Sequence, residues 1–133
     1  MATPQRLQSG FRLEDGNTLN SVLASPMWQT NYGITALAGG ALSSSTPILV
    51  LGSNVVSTVA SDGDSVVLPS AVAGSIVYML NADAAQSVLV YGNGSDTING
   101  TAGSTGVSYA AAKRVMFIAV TNGVWIANVL AAS

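Results

Sequence analysis

The stretch Arg114-Val115-Met116-Phe117-Ile118-Ala119-Val120-Thr121, then Asn122-Gly123, then Val124-Trp125-Ile126-Ala127-Asn128-Val129, decides the fold. Two apolar runs rich in β-branched and aromatic residues flank an Asn-Gly pair, the strongest short-range hairpin signal. The first run is apolar at both parities. Val115, Phe117 and Ala119 point one way; Met116, Ile118 and Val120 point the other. A strand with one wet face alternates apolar and polar residues, so this strand calls for burial on both faces. No long helical pattern is available to cover the second face. Val115, Phe117, Ile118 and Val120 are therefore expected at an interface between copies of the chain, because such interfaces resemble a domain core cut in half.

Working outward, Ser75–Asn81 and Ser87–Tyr91 are two-faced in the same way. Further short strands are expected at Tyr32–Leu37, Pro47–Leu51, Val55–Ala60, Ser65–Leu68 and Gly106–Tyr109. The breaks between them carry turn chemistry: Gly39-Gly40, Gly52-Ser53-Asn54, Asp62-Gly63-Asp64 and Gly92-Asn93-Gly94. Ala110–Ala112 is compatible with one helical turn. The pattern predicts an all-β body, either a compact β-sandwich or a tulip-like β-barrel. A faint repeat at an offset of 40 residues matches Leu49, Gly52, Gly63 and Val67 to Leu89, Gly92, Gly103 and Val107. It would correspond to two similar strand–turn–strand modules.

Residues 1–31 differ in composition from 32–133 and are expected to form an N-terminal arm ahead of the β-rich domain. The arm contains one short helix near Thr18–Ala24, with Asn17 or Thr18 as cap and Pro26 beyond its end. A helix of two turns is marginal alone. Phe11, Leu13, Leu19, Val22, Leu23 and Trp28 present more apolar surface than it can hide, so the arm is expected to gain order on a partner.

Composition excludes many activities. The 133 residues include Lys+Arg 4, Asp+Glu 6, no His and no Cys. Charged residues make up 8%, against roughly 25% in an ordinary soluble domain. Yet 49% of residues are apolar and the mean hydropathy is +0.48. Without His or Cys, the usual zinc, haem and iron–sulfur ligand sets are missing. So are Cys nucleophiles and Ser–His pairs. A net charge of -2 gives no footprint for nucleic acid. Val115–Val120 spans six apolar residues, far short of the ~20 that cross a bilayer. Met1–Gly10 has no apolar core and is not read as a secretory signal.

The remaining polar features read as structural. Asp62 and Asp64 lack the further ligands and distal Glu of a calcium loop. Asp96 suits a tight turn, and the adjacent Glu14 and Asp15 diverge on any regular element. The glycosylation-type triplets at Asn93 and Asn99 are read as turns. Lys113-Arg114 reads as a gatekeeper pair before an aggregation-prone run. The Trp and Tyr residues could stack on sugar rings but are read as core or interface anchors. No catalytic, metal or cofactor-binding residue is expected, and no small-molecule substrate.

The opening Gly10-Phe11-Arg12-Leu13-x-Asp15-Gly16-x-x-Leu19-Asn20 resembles the start of small tailed-phage virion proteins, as does Tyr32-Gly33-Ile34-Thr35-Ala36-x-Ala38-Gly39-Gly40. Val67-Leu68-Pro69-x-Ala71-Val72-Ala73-Gly74, Val90-Tyr91-Gly92-x-Gly94-x-Asp96-Thr97-Ile98-Asn99-Gly100 and the closing Gly123-x-Trp125 are similar too. The resemblance is to head decoration (cement) proteins; related β modules occur in tail fibres and baseplates. It implies a homotrimeric knob on the capsid exterior, bound to the major capsid protein, without catalytic residues or cofactor. Under it, Arg6, Phe11, Arg12, Leu13, Leu19 and Trp28 of the arm are the expected capsid contacts. The alternative is a receptor- or carbohydrate-binding module of a tail fibre or baseplate. A fibre module normally continues a longer shaft, whereas this chain is read as complete from Met1, which favours decoration.

Overall fold

Short β-branched runs punctuated by glycine become ten strands in a computed structural model that describes residues 28–131. They are β1 (Gln29–Thr35), β2 (Gly52–Thr58), β3 (Asp64–Val67), β4 (Ile76–Asn81), β5 (Val88–Tyr91), β6 (Thr97–Ile98), β7 (Thr101–Ala102), β8 (Val107–Tyr109), β9 (Arg114–Thr121) and β10 (Val124–Leu130). The described residues are all-β and contain no helix. The helix expected near Thr18–Ala24 lies outside them. The first strand begins at Gln29, three residues before the expected Tyr32.

A seven-stranded sheet runs β1-β2-β4-β9-β10-β6-β7, and a three-stranded sheet runs β3-β5-β8. The chain passes repeatedly from one sheet to the other, so β1, β2 and β4 stack in parallel, as do β3 and β5. Gln29 lies opposite Gly52, Gly52 opposite Val77, and Asp64 opposite Val88, offsets of 23, 25 and 24 residues. This is a solenoid-like coil. The antiparallel β9–β10 hairpin then completes the large sheet, which among the described residues is open, with β1 and β7 at its edges. A sandwich or closed barrel was expected. The core does lie between two sheets, but the coil supplies parallel neighbours where a sandwich has hairpins.

The coil also replaces the 40-residue repeat. Leu49 donates its N–H to Val67, while Leu89 pairs with Ser65 and Ser108, so the matched residues occupy unlike places. Pro47–Leu51 forms no strand; Ile48 makes one bridge to Val67, and Leu49 is buried. Ala110–Ala112 is a turn with Ala112 at φ 63, not a helical turn.

Two turns show why these residues stand where they do. Asn99 and Gly100, at φ 49 and 82, make the doubly left-handed turn between β6 and β7, the geometry that Asn-Gly favours. At Asn122-Gly123 only Gly123 is left-handed, and the ladder bulges at Val120. Gly52, at φ 115, sits so close to the Gln29 backbone that a Cβ would collide with it, which keeps β1 within pairing distance.

One core fills the space between the sheets. Val77, Met79, Val115, Phe117, Ala119 and Trp125 face Val66, Leu68, Val88, Val90 and Tyr109. Tyr109 meets Phe117 edge to face at 5.6 Å and 88°. Two buried amides tie the coil internally. Asn54 donates to the Val50 and Tyr78 carbonyls, and Asn81 to those of Gln86, Tyr109 and Ala110.

Candidate functional site

The pleat of β9 splits the four residues expected at an interface. Val115 and Phe117 are 0% exposed and point into the chain's own core, so they are corrected to core residues. Both parities of this strand are apolar, and pairing with β4 and β10 decides which one turns inward. Ile118 is half-buried and Val120 is 52% exposed, both on the outward parity.

Across the large sheet, outward residues align in rows. Tyr32, Val55, Leu80, Arg114 and Leu130 form one. Thr30, Ser53, Tyr78, Met116 and Asn128 form the next. Ile76, Ile118 and Ile126 form a third. In these rows Arg114 is the one charged residue. Trp28 lies over the face, its ring edge-on to Tyr78 at 5.6 Å, and Tyr32 is 79% exposed. Exposed apolar patches of this kind are candidates for interaction surfaces. Trp28 is thus next to this outward face. Arg6, Phe11, Arg12, Leu13 and Leu19 lie outside the described residues.

One shallow cleft, of about 540 Å³, is lined by Gly39, Gly40, Ala60, Asp62, Asp64 and Tyr91, among others. Its carboxylates are committed to the backbone. Asp64 is buried and accepts N–H bonds from Gly39 (3.1 Å), Ala60 (3.0 Å) and Ser61 (3.1 Å). Asp62 accepts from the Ser87 N–H and hydroxyl at 2.7 and 2.9 Å. Across the body, Asp96 accepts from the Ala71 N–H at 2.7 Å, and Asp83 from the Ala85 and Gln86 N–H groups. Three of these reach 25 residues along the chain, Asp64 to Gly39, Asp62 to Ser87 and Asp96 to Ala71. Asp62, Asp64 and Asp96 therefore clip one coil to the next, while Asp83 closes a local turn. Among the described residues no three His, Cys, Asp or Glu gather as a metal site.

Two predictions follow from the clips. Asp64→Ala removes the acceptor of three partly buried hydrogen bonds whose amides lie on exposed residues and can turn to water. A protein hydrogen bond contributes about 0.5–1.5 kcal/mol net, so urea unfolding of the variant should show a loss of about 2 kcal/mol. An unchanged midpoint would mean that water replaces the carboxylate fully. The second concerns acid. The Ser87 N–H, then its hydroxyl, hold Asp62 below its ordinary 3.8. The Gln86 and Ala85 N–H groups do the same for Asp83. A depressed folded-state pKa stabilises above the unfolded value and loses that stabilisation as pH falls through the folded one. Thermal midpoints should therefore fall once the pH drops below 3.8, and Asp62→Asn should soften that fall. A midpoint that holds steady through the acid range would refute it.

Burial moves a third group the other way. Tyr109, enclosed beside Phe117, has its phenol pushed up to about 12. Its hydroxyl, the Trp125 indole N–H and the Ser65 hydroxyl are enclosed without a partner among the described residues. All three sit within the body, remote from the outward face. Sequence reasoning expected burial on both faces of β9, of which the chain's own core buries one. It did not find the coil clips, whose partners are separated by 25 residues. Comparison of the chain with family models, with curated proteins and with solved structures returned no match.

Proposed function

We propose that the chain is a virion structural protein, a head decoration or cement protein that binds the major capsid lattice as a homotrimer and stabilises the head. The observation that carries this reading is the outward face of the large sheet, where two largely apolar rows flank a mixed row and Arg114, between Leu80 and Leu130, is the single charge. A second copy is the fitting occupant. Apolar surface with almost no charge is matched best by its like, and charged residues are depleted at interface cores. The backbone-bound carboxylates support a non-enzymatic role. Location on the capsid exterior rests on the motif resemblance.

In this reading the segment before β1 is the attachment device. Arg6 and Arg12 offer planar, bidentate contacts to capsid carboxylates, and a trimer presents three such segments, which multiplies weak contacts. The test is co-sedimentation with expanded empty capsids. Full-length protein should bind, and Arg6→Glu combined with Arg12→Glu should lower binding at least tenfold while the trimer persists. Unchanged binding would move the contact to the β body. Binding on a glycan array without capsid binding would favour the tail-fibre module instead.

A further inference from the structure

We propose that Asn93 is a site of self-modification, its side-chain amide lost to attack by the Gly94 backbone nitrogen. Three Asn-Gly pairs occur in the chain: Asn93-Gly94, Asn99-Gly100 and Asn122-Gly123. Glycine offers its nitrogen no side-chain hindrance, so the sequence ranks the three alike. Exposure ranks Asn93 last, since it is half-buried while Asn99 and Asn122 are exposed. Hydrogen bonding reverses that order.

At Asn99 the carboxamide is held at both ends. Its oxygen accepts from the Ala127 N–H at 2.9 Å, and its nitrogen donates to the Ala127 carbonyl at 3.2 Å. Turning toward Gly100 would break both bonds. At Asn122 the nucleophile is held instead. The Gly123 N–H donates to the Ala71 carbonyl at 3.0 Å, and the Asn122 carboxamide oxygen accepts from the Ala73 N–H at 3.0 Å. Among the described residues Asn93 carries neither restraint. Its carboxamide nitrogen lies 3.5 Å from the Leu68 carbonyl, longer than an ordinary hydrogen bond. The Asp96 N–H closes a turn on the Asn93 carbonyl at 2.9 Å. Gly94 is the first corner of that turn, so its N–H takes no part in the closing bond, and it is exposed at φ 57.

The step balances with water alone. Hydroxide takes the Gly94 N–H proton, the nitrogen bonds to Asn93 Cγ, and the Cγ–Nδ2 bond breaks as ammonia leaves with a proton from water. Water then opens the cyclic imide to aspartate or isoaspartate. Isoaspartate lengthens the backbone by one atom where there is no room. A Cβ on Gly92 would already sit 2.7 Å from the Asp96 carbonyl oxygen and 2.9 Å from the Gly103 Cα. The same turn sets the Asp96 carboxylate on the Ala71 N–H at 2.7 Å. Modification therefore loosens one coil clip.

The reaction needs no partner, so its outcome is independent of the decoration role. Full-length protein kept in warm, mildly alkaline buffer is digested and mapped by mass spectrometry, with isoaspartate scored by enzymatic methylation. Position 93 should convert severalfold faster than positions 99 and 122 in the folded protein, and the three rates should converge in urea. Conversion led by Asn99 or Asn122, equal rates in the folded protein, or a folded protein inert at all three positions would overturn the assignment. Asn93→Asp carries the charge without the extra backbone atom, so aged protein should lose more of its thermal midpoint than that variant does. Aged protein as stable as Asn93→Asp would overturn the loosening of the clip.

Discussion

Phe117→Asp should leave no folded protein at any concentration. Phe117 lies on the inward face of β9, between Val77 of β4 and Ala127 of β10, and is 0% exposed. Its ring meets Tyr109 edge to face, a contact worth about 0.5–1.5 kcal/mol beyond its burial. Deleting a buried Phe costs about 3–5 kcal/mol. A carboxylate in its place adds several kcal/mol, because no described cation lies in this core to pair with it. The sum reaches the 5–15 kcal/mol that hold a typical domain together. Phe117→Leu, which keeps an apolar side chain, should fold with a lowered midpoint. Far-UV circular dichroism and amide dispersion in NMR spectra separate the outcomes. A folded Phe117→Asp chain that has merely lost its oligomer would return Phe117 to the interface and refute its placement in the core.

That residue shows how far the sequence could be read. The bounds of β9, Arg114–Thr121, are legible because the run is long, apolar and ends at Asn122-Gly123. Its inward parity is not, because Phe117 and Ile118 satisfy a core equally well, and only the neighbours β4 and β10 break the tie. β6 and β7, two residues each, are too short for any period to register, and they exist because Asn99-Gly100 turns the chain between them. Leu49 pulls the opposite way. Its run looks like a strand, yet burial of that one side chain and a single bridge at Ile48 satisfy it.

The all-β class was legible because short β-branched runs and glycine turns are local signals. The coil was not. Parallel stacking joins residues 23 to 25 apart with no motif at either end. Asp64 illustrates the same limit within the candidate clefts. Its place in a turn follows from Asp62-Gly63-Asp64, but its bond to Gly39 depends on the coil having closed.

Under the proposed homotrimer, Ile118→Glu should convert the assembly to folded monomers. Ile118 sits between Ile76 and Ile126 on the outward face, so in a single chain the new carboxylate reaches water and costs little. In an interface between copies it would be buried without a partner. An uncompensated buried charge costs about 3–5 kcal/mol, and each 1.4 kcal/mol is tenfold in affinity. A loss above a hundredfold per contact is expected, multiplied where three copies close a ring. Met116→Glu, one row away and paired with Tyr78, should act alike, while Ser104→Glu on an exposed turn should not. Sedimentation equilibrium at micromolar concentration is the measurement, with circular dichroism to verify the fold. A monomeric parent protein would remove the burial argument altogether. A parent dimer dissociated by Ile118→Glu would keep the face and discard the number three, which rests on the family resemblance and not on the area of the sheet. A trimer that survives both substitutions would move the interface to the β1 edge, where Tyr32 is the most exposed large apolar side chain of the described residues.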